Sequence, residues 1–528
     1  MPREKDHTSQ TFALAALVVL MLLGMGLIPP FRAGKAVVKR VNILSDLFET
    51  RDELPPAVTD RDLLDTSFLA DLYPAAEGTS SPEAMEIIAP PQSPAPADKA
   101  VSAPEALPDT AYIRGDRIYI EDFSPGRTMT DRFYRALAYE APERTVRIAV
   151  LGDSFIEGDI ITADIREQLQ LLYGGCGVGF VPFSSALSKY RGTIKHTFEG
   201  WREYSILKRK SVPEEYRDRF FVSGQLSVPD EGATVSYRGV SFRRRIERYP
   251  SARLLFVNRG TTEIGVTVND SARYSFRPPS SSGIGQLTVG GDISKLDISL
   301  RGTSGFIGYG VVMEDTVGVS VHNFSVRGNS GLALFGTDGK VNSQIDSMLR
   351  YDMVILQYGL NAMSADVTDY SYYGRQLRRM ISYIKECFPG SAIVVMSVGD
   401  RSTLKDGSAV TMPAVKAMLR AQREAAAAEQ VSFWNTFEAM GGDNSMAEFV
   451  KRKWAAKDYT HIGYNGGKHI AGQFVKGLSA AVERITENDR RARAVVRMDA
   501  ETMLAADSLF RTAVLPSLTA VPQLNEND

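Results

Sequence analysis

Four apolar runs of strand length, 146–151, 353–357, 392–397 and 431–434, alternate with helical segments along this 528-residue chain. The helices are read over 162–173, 370–388, 410–430 and 464–485. In the first, Ile165, Leu169 and Leu172 share a face, and Gly174-Gly175 ends it. In the second, Leu377, Met380, Ile381 and Ile384 point inward, and Pro389-Gly390 terminates it. Pro413 stands near the start of the third. Strands separated by helices are joined by crossovers, so they build a parallel sheet with helices on both faces, an α/β fold. Functional groups in such sheets gather at the C-terminal strand ends.

One stretch breaks the alternation. Short β-rich segments are read at 233–242, 252–258, 263–269, 286–289, 296–301, 306–312 and 317–326, divided by turn-rich pieces such as 278–285. This spacing predicts a β-sandwich, jelly-roll-like, inserted into the α/β domain over 190–325. The insert is either a carbohydrate-binding module or a structural lid. Trp201, Tyr237, Tyr274 and Phe276 could stack on sugar rings or fill its core.

The chain begins with a short tail, 1–10, and an apolar segment over 11–30 closed by Pro29-Pro30. That length spans a bilayer as an uncleaved transmembrane helix; a cleaved signal peptide is the alternative. Arg32, Lys35, Lys39 and Arg40 outnumber Arg3 and Lys5, which by charge alone keeps the downstream part in the cytoplasm. Residues 31–109 form a spacer, with short helices at 41–48 and 60–72, that becomes a Pro-rich linker too poor in apolar residues to bury a core. The α/β domain then occupies 110–189 and 326–487 around the insert. A C-terminal tail, 488–528, opens with the basic Arg490-Arg491-Ala492-Arg493 and has one further helix at 499–509. A net charge of −2 leaves no nucleic-acid footprint, so no nucleic-acid partner is expected. Cys176 and Cys387 are too few for a disulfide scaffold; they are small buried hydrophobes, or one disulfide in an oxidising compartment. No pair among His7, His196, His322, His461 and His469 has zinc spacing, so neither metal nor other cofactor is expected.

Three motifs carry chemistry. Gly152-Asp153-Ser154 ends the first strand run, Gly359-Leu360-Asn361 follows the second, and Asp458-Tyr459-Thr460-His461 lies near the end of the folded part. Ser154 could be a helix N-cap, but beside the other two motifs it reads as a nucleophile. A serine hydroxyl needs a positioned base, and His461 is the candidate. Asp458 can turn back to hold the imidazole. The tetrahedral intermediate needs donors, and the N–H of Ser154 and the amide of Asn361 fit. A third is expected from the loop 326–331, with Gly331 the best placed. Asp400 also ends a strand and is read as structural or substrate-facing; His469 is read as packing or surface.

These motifs resemble those of the SGNH (GDSL-type) hydrolase superfamily. Block I matches Gly152-Asp153-Ser154, block II Ser330-Gly331, block III Gly359-x-Asn361 and block V Asp458-x-x-His461. The stretch Gly174-Gly175-Cys176-Gly177-Val178-Gly179-Phe180 resembles one in bacterial peptidoglycan O-acetylesterases, which also carry a carbohydrate-binding-like β domain between blocks I and II. The resemblance implies a flavodoxin-like three-layer α/β/α sandwich. It implies a serine esterase removing O-acetyl groups from an acetylated cell-envelope polysaccharide through an acetyl-serine. An O-acetyltransferase using the same residues is the alternative, and a non-catalytic polysaccharide-binding protein the second alternative. Such a substrate places the catalytic part in the periplasm or outside the cell, anchored to the inner membrane, against the charge rule.

Overall fold

The computed structural model describes residues 31–33, 36–38, 113–114 and 117–514, residue 366 excepted. The chain divides into two units, 1–57 and 58–528. In the first, strand Phe31–Ala33 pairs antiparallel with Ala36–Val38. The expected membrane anchor over 11–30 and most of the linker lie outside the described residues. Among the described residues no helix is long and apolar enough to cross a membrane.

In the second unit a six-stranded sheet runs in the order Gly318–Ser325, Thr145–Gly152, Tyr351–Gln357, Ala392–Met396, Ser432–Trp434 and Glu121–Asp122. The first five are parallel and the last pairs antiparallel at the edge. Counted along the chain, the parallel strands stand 2-1-3-4-5, a doubly wound order. Val146, Ile148, Val150, Met353, Val354 and Ile355 are fully buried, as strands covered on both faces require. Helix Thr162–Tyr173 packs on the helix beginning at Tyr464, while Gly339–Leu349 and Pro413–Ala428 pack on Ser371–Cys387. Right-handed crossovers place these two groups on opposite faces of the sheet.

The inserted region differs from a sandwich of two sheets. Nine antiparallel strands form one continuous, curled sheet. Its long strand Gln225–Gly239 pairs with Lys295–Arg301 near one end and with Phe306–Glu314 near the other. The bend lies at Gly232 (φ 78°), opposite a register shift at Gly200 (φ 72°) in the partner strand Ile194–Ser205. Both backbones there adopt conformations that glycine enters freely. Strands Tyr249–Asn258 and Phe306–Glu314 are apolar on both faces; the period of two sorts the side chains of the first, and in the second an irregularity opposite Leu255 and Phe256 shifts the alternation between Tyr309 and Val311. Leu254, Phe256, Val311 and Met313 join the insert's own core; Leu255, Val257, Ile307 and Tyr309 join the core of the α/β part. The insert therefore has no separate surface along this seam.

Four readings are corrected. The run read as the last strand of the insert, 317–326, forms Gly318–Ser325 and pairs in parallel with Thr145–Gly152, so it belongs to the six-stranded sheet. Conversely, Gly179–Val181, read in the first α/β segment, joins the insert's sheet beside Phe306–Glu314. The helix expected from 410 begins at Pro413; Ser408–Thr411 instead pairs with Ser402–Lys405 in a hairpin. The last two helices of the sequence reading are one, Tyr464–Val514.

Arg147, the polar interruption of the first strand run, has a partner in the insert. Its guanidinium binds Glu314 at 2.8 Å, at the end of Phe306–Glu314. His322 lies 3.3 Å from the same carboxylate, 2.9 Å from Ser320 Oγ and 2.7 Å from the Tyr351 hydroxyl. Burial raises the Glu314 carboxyl, but Arg147 and His322 overcome it and hold it well below the carboxylate range. Cys176 and Cys387 are free thiols.

Candidate active site

The serine turn follows strand Thr145–Gly152, the second of the six-stranded sheet. Gly152 passes so close to the neighbouring strand that a Cβ there would meet Gln357 O at 2.7 Å. Asp153 and Ser154 are buried at the strand end. The Asp153 carboxylate accepts the Phe155 N–H at 2.9 Å and the Asn361 side-chain amide at 3.2 Å, so it ties the serine turn to the asparagine turn on the adjacent strand. The far side of the serine turn is pinned by Asp159. Burial raises this carboxyl, but Arg166 and Arg191 outweigh it and hold it well below the carboxylate range, with Thr193 donating a further hydrogen bond.

His461 and Asp458 come from the loop before the last helix. Asp458 Oδ1 accepts the N–H of Thr460 at 2.9 Å and of His461 at 3.0 Å, and Oδ2 accepts from His461 Nδ1 at 2.7 Å. Tyr459 takes a left-handed conformation (φ 55°), which turns the chain tightly enough for an aspartate to grip the histidine three residues on. Burial opposes ionisation of Asp458, yet these bonds from His461 and Thr460 bring its pKa to about 2. With Nδ1–H given to Asp458, Nε2 is the acceptor, and it faces Ser154 Oγ at 3.2 Å. The structure thus brings Ser154, His461 and Asp458, distant in sequence, into one relay.

Asn361 stands on this arrangement through Asp153 and also donates to Asn329 O at 3.2 Å. Gly331 differs from its expected role. Its N–H is given to the buried side-chain carbonyl of Asn329 at 2.8 Å and not held open for an oxyanion. Its own need is packing. At φ 95°, a Cβ would lie 2.8 Å from Met380 Sδ and 3.1 Å from the Tyr358 ring. Asp400 is buried and accepts from Met446 N–H at 2.8 Å, which is a structural role. His469 packs against Phe449 and Trp454, with Nε2 at 3.0 Å from Ala439 O. Of the four aromatic residues proposed to stack on sugars, Tyr237 is fully buried and Trp201 lies stacked on Phe183. Tyr274 is exposed, and it stacks with Phe276 on the edge strand of the curled sheet.

Sequence reading missed three groups at the site. Asp153 organises both turns, and Asn329 serves Asn361 and Gly331. Glu157, three residues after the serine, is buried and paired with Arg327 at 2.6 Å. Burial raises the Glu157 carboxyl, with Arg327 and then His461 opposing. The charge of Arg327, just beyond strand Gly318–Ser325, was a visible signal, but its partner lies 170 residues away.

No family model and no curated protein matches the chain. Solved structures do. A peptidoglycan O-acetylesterase is similar at 20% identity and a TM-score of 0.57, over 69% of this chain and 99% of that one. A family two carbohydrate esterase from Cellvibrio japonicus aligns over 55% of this chain and 98% of its own at 10% identity and a TM-score of 0.23. A salicylyl-acyltransferase from a tetracycline biosynthetic pathway aligns over 57% and 96% at 12% identity and a TM-score of 0.25. The last two scores are too low to carry an argument. The chain therefore has the fold of a solved peptidoglycan O-acetylesterase, and the resemblance to SGNH hydrolases read from its motifs is borne out at the level of fold.

Proposed function

We propose that the chain is a serine esterase that removes O-acetyl groups from a cell-envelope polysaccharide. The observation that carries this reading is the relay from Asp458 through His461 to Ser154 at a C-terminal strand end. Ser154 Oγ attacks the acetyl carbonyl as its proton passes to His461 Nε2. The oxyanion is met by the Ser154 N–H and by Asn361, whose amide is held in place by Asp153 and Asn329. His461 then gives its proton to the departing sugar oxygen, leaving acetyl-serine. Water, deprotonated by the same nitrogen, releases acetate and restores the serine. His461 and Asp458 keep 25% and 36% of their side-chain surface exposed, so water can reach the acyl-enzyme.

The test uses the full chain and Ser154→Ala with p-nitrophenyl acetate and with O-acetylated peptidoglycan, following free acetate. Loss of the serine is expected to lower turnover by about six orders of magnitude. Equal acetate release by the two proteins would refute the reading. Acetyl groups appearing on an added acceptor oligosaccharide, with little free acetate, would make the enzyme a transferase.

A further inference from the structure

The segment that follows strand Ala392–Met396 threads between the loops that build the site. At Gly399 the backbone runs so close to Phe155, the neighbour of the nucleophile, that a Cβ would lie 2.9 Å from the ring tip. Arg401 Nη1 reaches Leu360 O at 3.4 Å, one residue before Asn361. The Ser402 N–H donates to Tyr459 O at 3.1 Å, between Asp458 and His461. Arg401 is thus placed where the serine, asparagine and histidine turns converge, at the base of the hairpin Ser402–Lys405 and Ser408–Thr411. That hairpin presents Leu404, 69% exposed, to solvent.

Arg401 is half-buried, yet it makes no ion pair among the described residues. Its neighbour Asp400 turns away to Met446. Other partly buried arginines of the α/β part hold carboxylates: Arg327 holds Glu157 and Arg423 holds Glu121. An incoming anion would supply this guanidinium with the counter-ion it lacks among the described residues. Its planar fork matches the two oxygens of a carboxylate and its single charge.

We propose that Arg401 binds a carboxylate carried by the polymer, on the acetylated sugar or the one beside it, so that the enzyme selects acidic glycans. The proposal rests on the serine-esterase reading above and names its substrate class. The hairpin forms the wall along which the polymer lies, with Leu404 offering an apolar contact to a sugar face.

The test compares the full chain with Arg401→Gln and Arg401→Lys on acetylated oligogalacturonides, which carry carboxylates, and on acetylated xylo-oligosaccharides, which do not. Loss of a charge-assisted hydrogen bond predicts that Arg401→Gln lowers kcat/KM on the acidic substrate about tenfold more than on the neutral one, mainly through KM. Arg401→Lys should recover part of that preference, and salt should weaken it in the wild type. Equal losses on both substrates, or no selective loss on the acidic one, would overturn the proposal. Ser154→Ala run in parallel separates the two failures: if it releases acetate as fast as the wild type, the esterase reading falls and takes this one with it.

Discussion

Asp153→Asn isolates how the nucleophile turn is built. The carboxylate is fully buried and receives two donors, Phe155 N–H at 2.9 Å and Asn361 Nδ2 at 3.2 Å. An asparagine of nearly the same shape offers one carbonyl oxygen and one amide, so whichever way it turns, one donor faces another donor. The hydrogen bond lost is one to a charged group, worth about 1.5–3 kcal/mol. If the new amide keeps Phe155, Asn361 loses its anchor, and an oxyanion donor out of place costs about 3 kcal/mol of transition-state stabilisation. That is about a hundredfold in kcat/KM on p-nitrophenyl acetate. Asn361→Ala should lose a similar factor. Because Asp153 acts through Asn361, the double variant should be hardly worse than either single one. Losses that multiply would show that the two residues act independently. An Asp153→Asn enzyme within threefold of the wild type would refute the reasoning outright.

Two further predictions concern stability. The Asp458 carboxyl is depressed from 3.8 to about 2, so it contributes stability above its unfolded value and loses it as pH falls through the folded one. A third of the side chain being exposed, that contribution is about 1 kcal/mol, and the Tm gap between wild type and Asp458→Asn should close between pH 4 and pH 2; a gap independent of pH would contradict it. Glu314→Gln leaves the Arg147 guanidinium without its buried counter-charge and should destabilise by about 3–5 kcal/mol in urea unfolding. Adding Arg147→Met should recover much of that loss, and equal stability of Glu314→Gln and wild type would show that the pair contributes nothing.

Much of this architecture was legible before any coordinates because its determinants are local. Val146 to Leu151 and Met353 to Gln357 are buried on both faces, so they stand out as continuous apolar runs, and Thr162–Tyr173 is bounded by its own amphipathic face and by Gly174. The motifs around Ser154, Asn361 and His461 were legible for the same reason, since each sits at an element's end. What escaped depends on pairing across the chain. Strand Gly318–Ser325 has the composition of its predecessors in the insert, and nothing in that composition says that its partner is Thr145–Gly152. Only the end of the hairpin before Pro413, Val410 and Thr411, was read into the helix that follows it. Gly331 was read as a free donor because its motif position says nothing of Asn329, two residues earlier, whose side chain takes the N–H. Asp153 was seen only as a letter of a motif, although its two hydrogen bonds hold the motif together.

The site divides into two mechanically different halves. Ser154 and Asn361 extend from adjacent central strands whose register pairs Gly152 with Gln357, and Asp153 bridges them directly. Their spacing is therefore set by the sheet itself, the part of the fold with fewest ways to move. Asp458 and His461 form a unit closed within three residues, and neighbours such as Ser402 attach that unit to the sheet side. Between the halves runs the Ser154–His461 contact at 3.2 Å, at the long end for a hydrogen bond, while the bond inside the histidine unit is 2.7 Å. In the proposed mechanism the sheet-borne half would meet the developing charge, where donors must be aimed beforehand, and proton transfer would fall to the joint. Arg401 lies against both halves, touching Leu360 on one side and leading into Ser402 on the other.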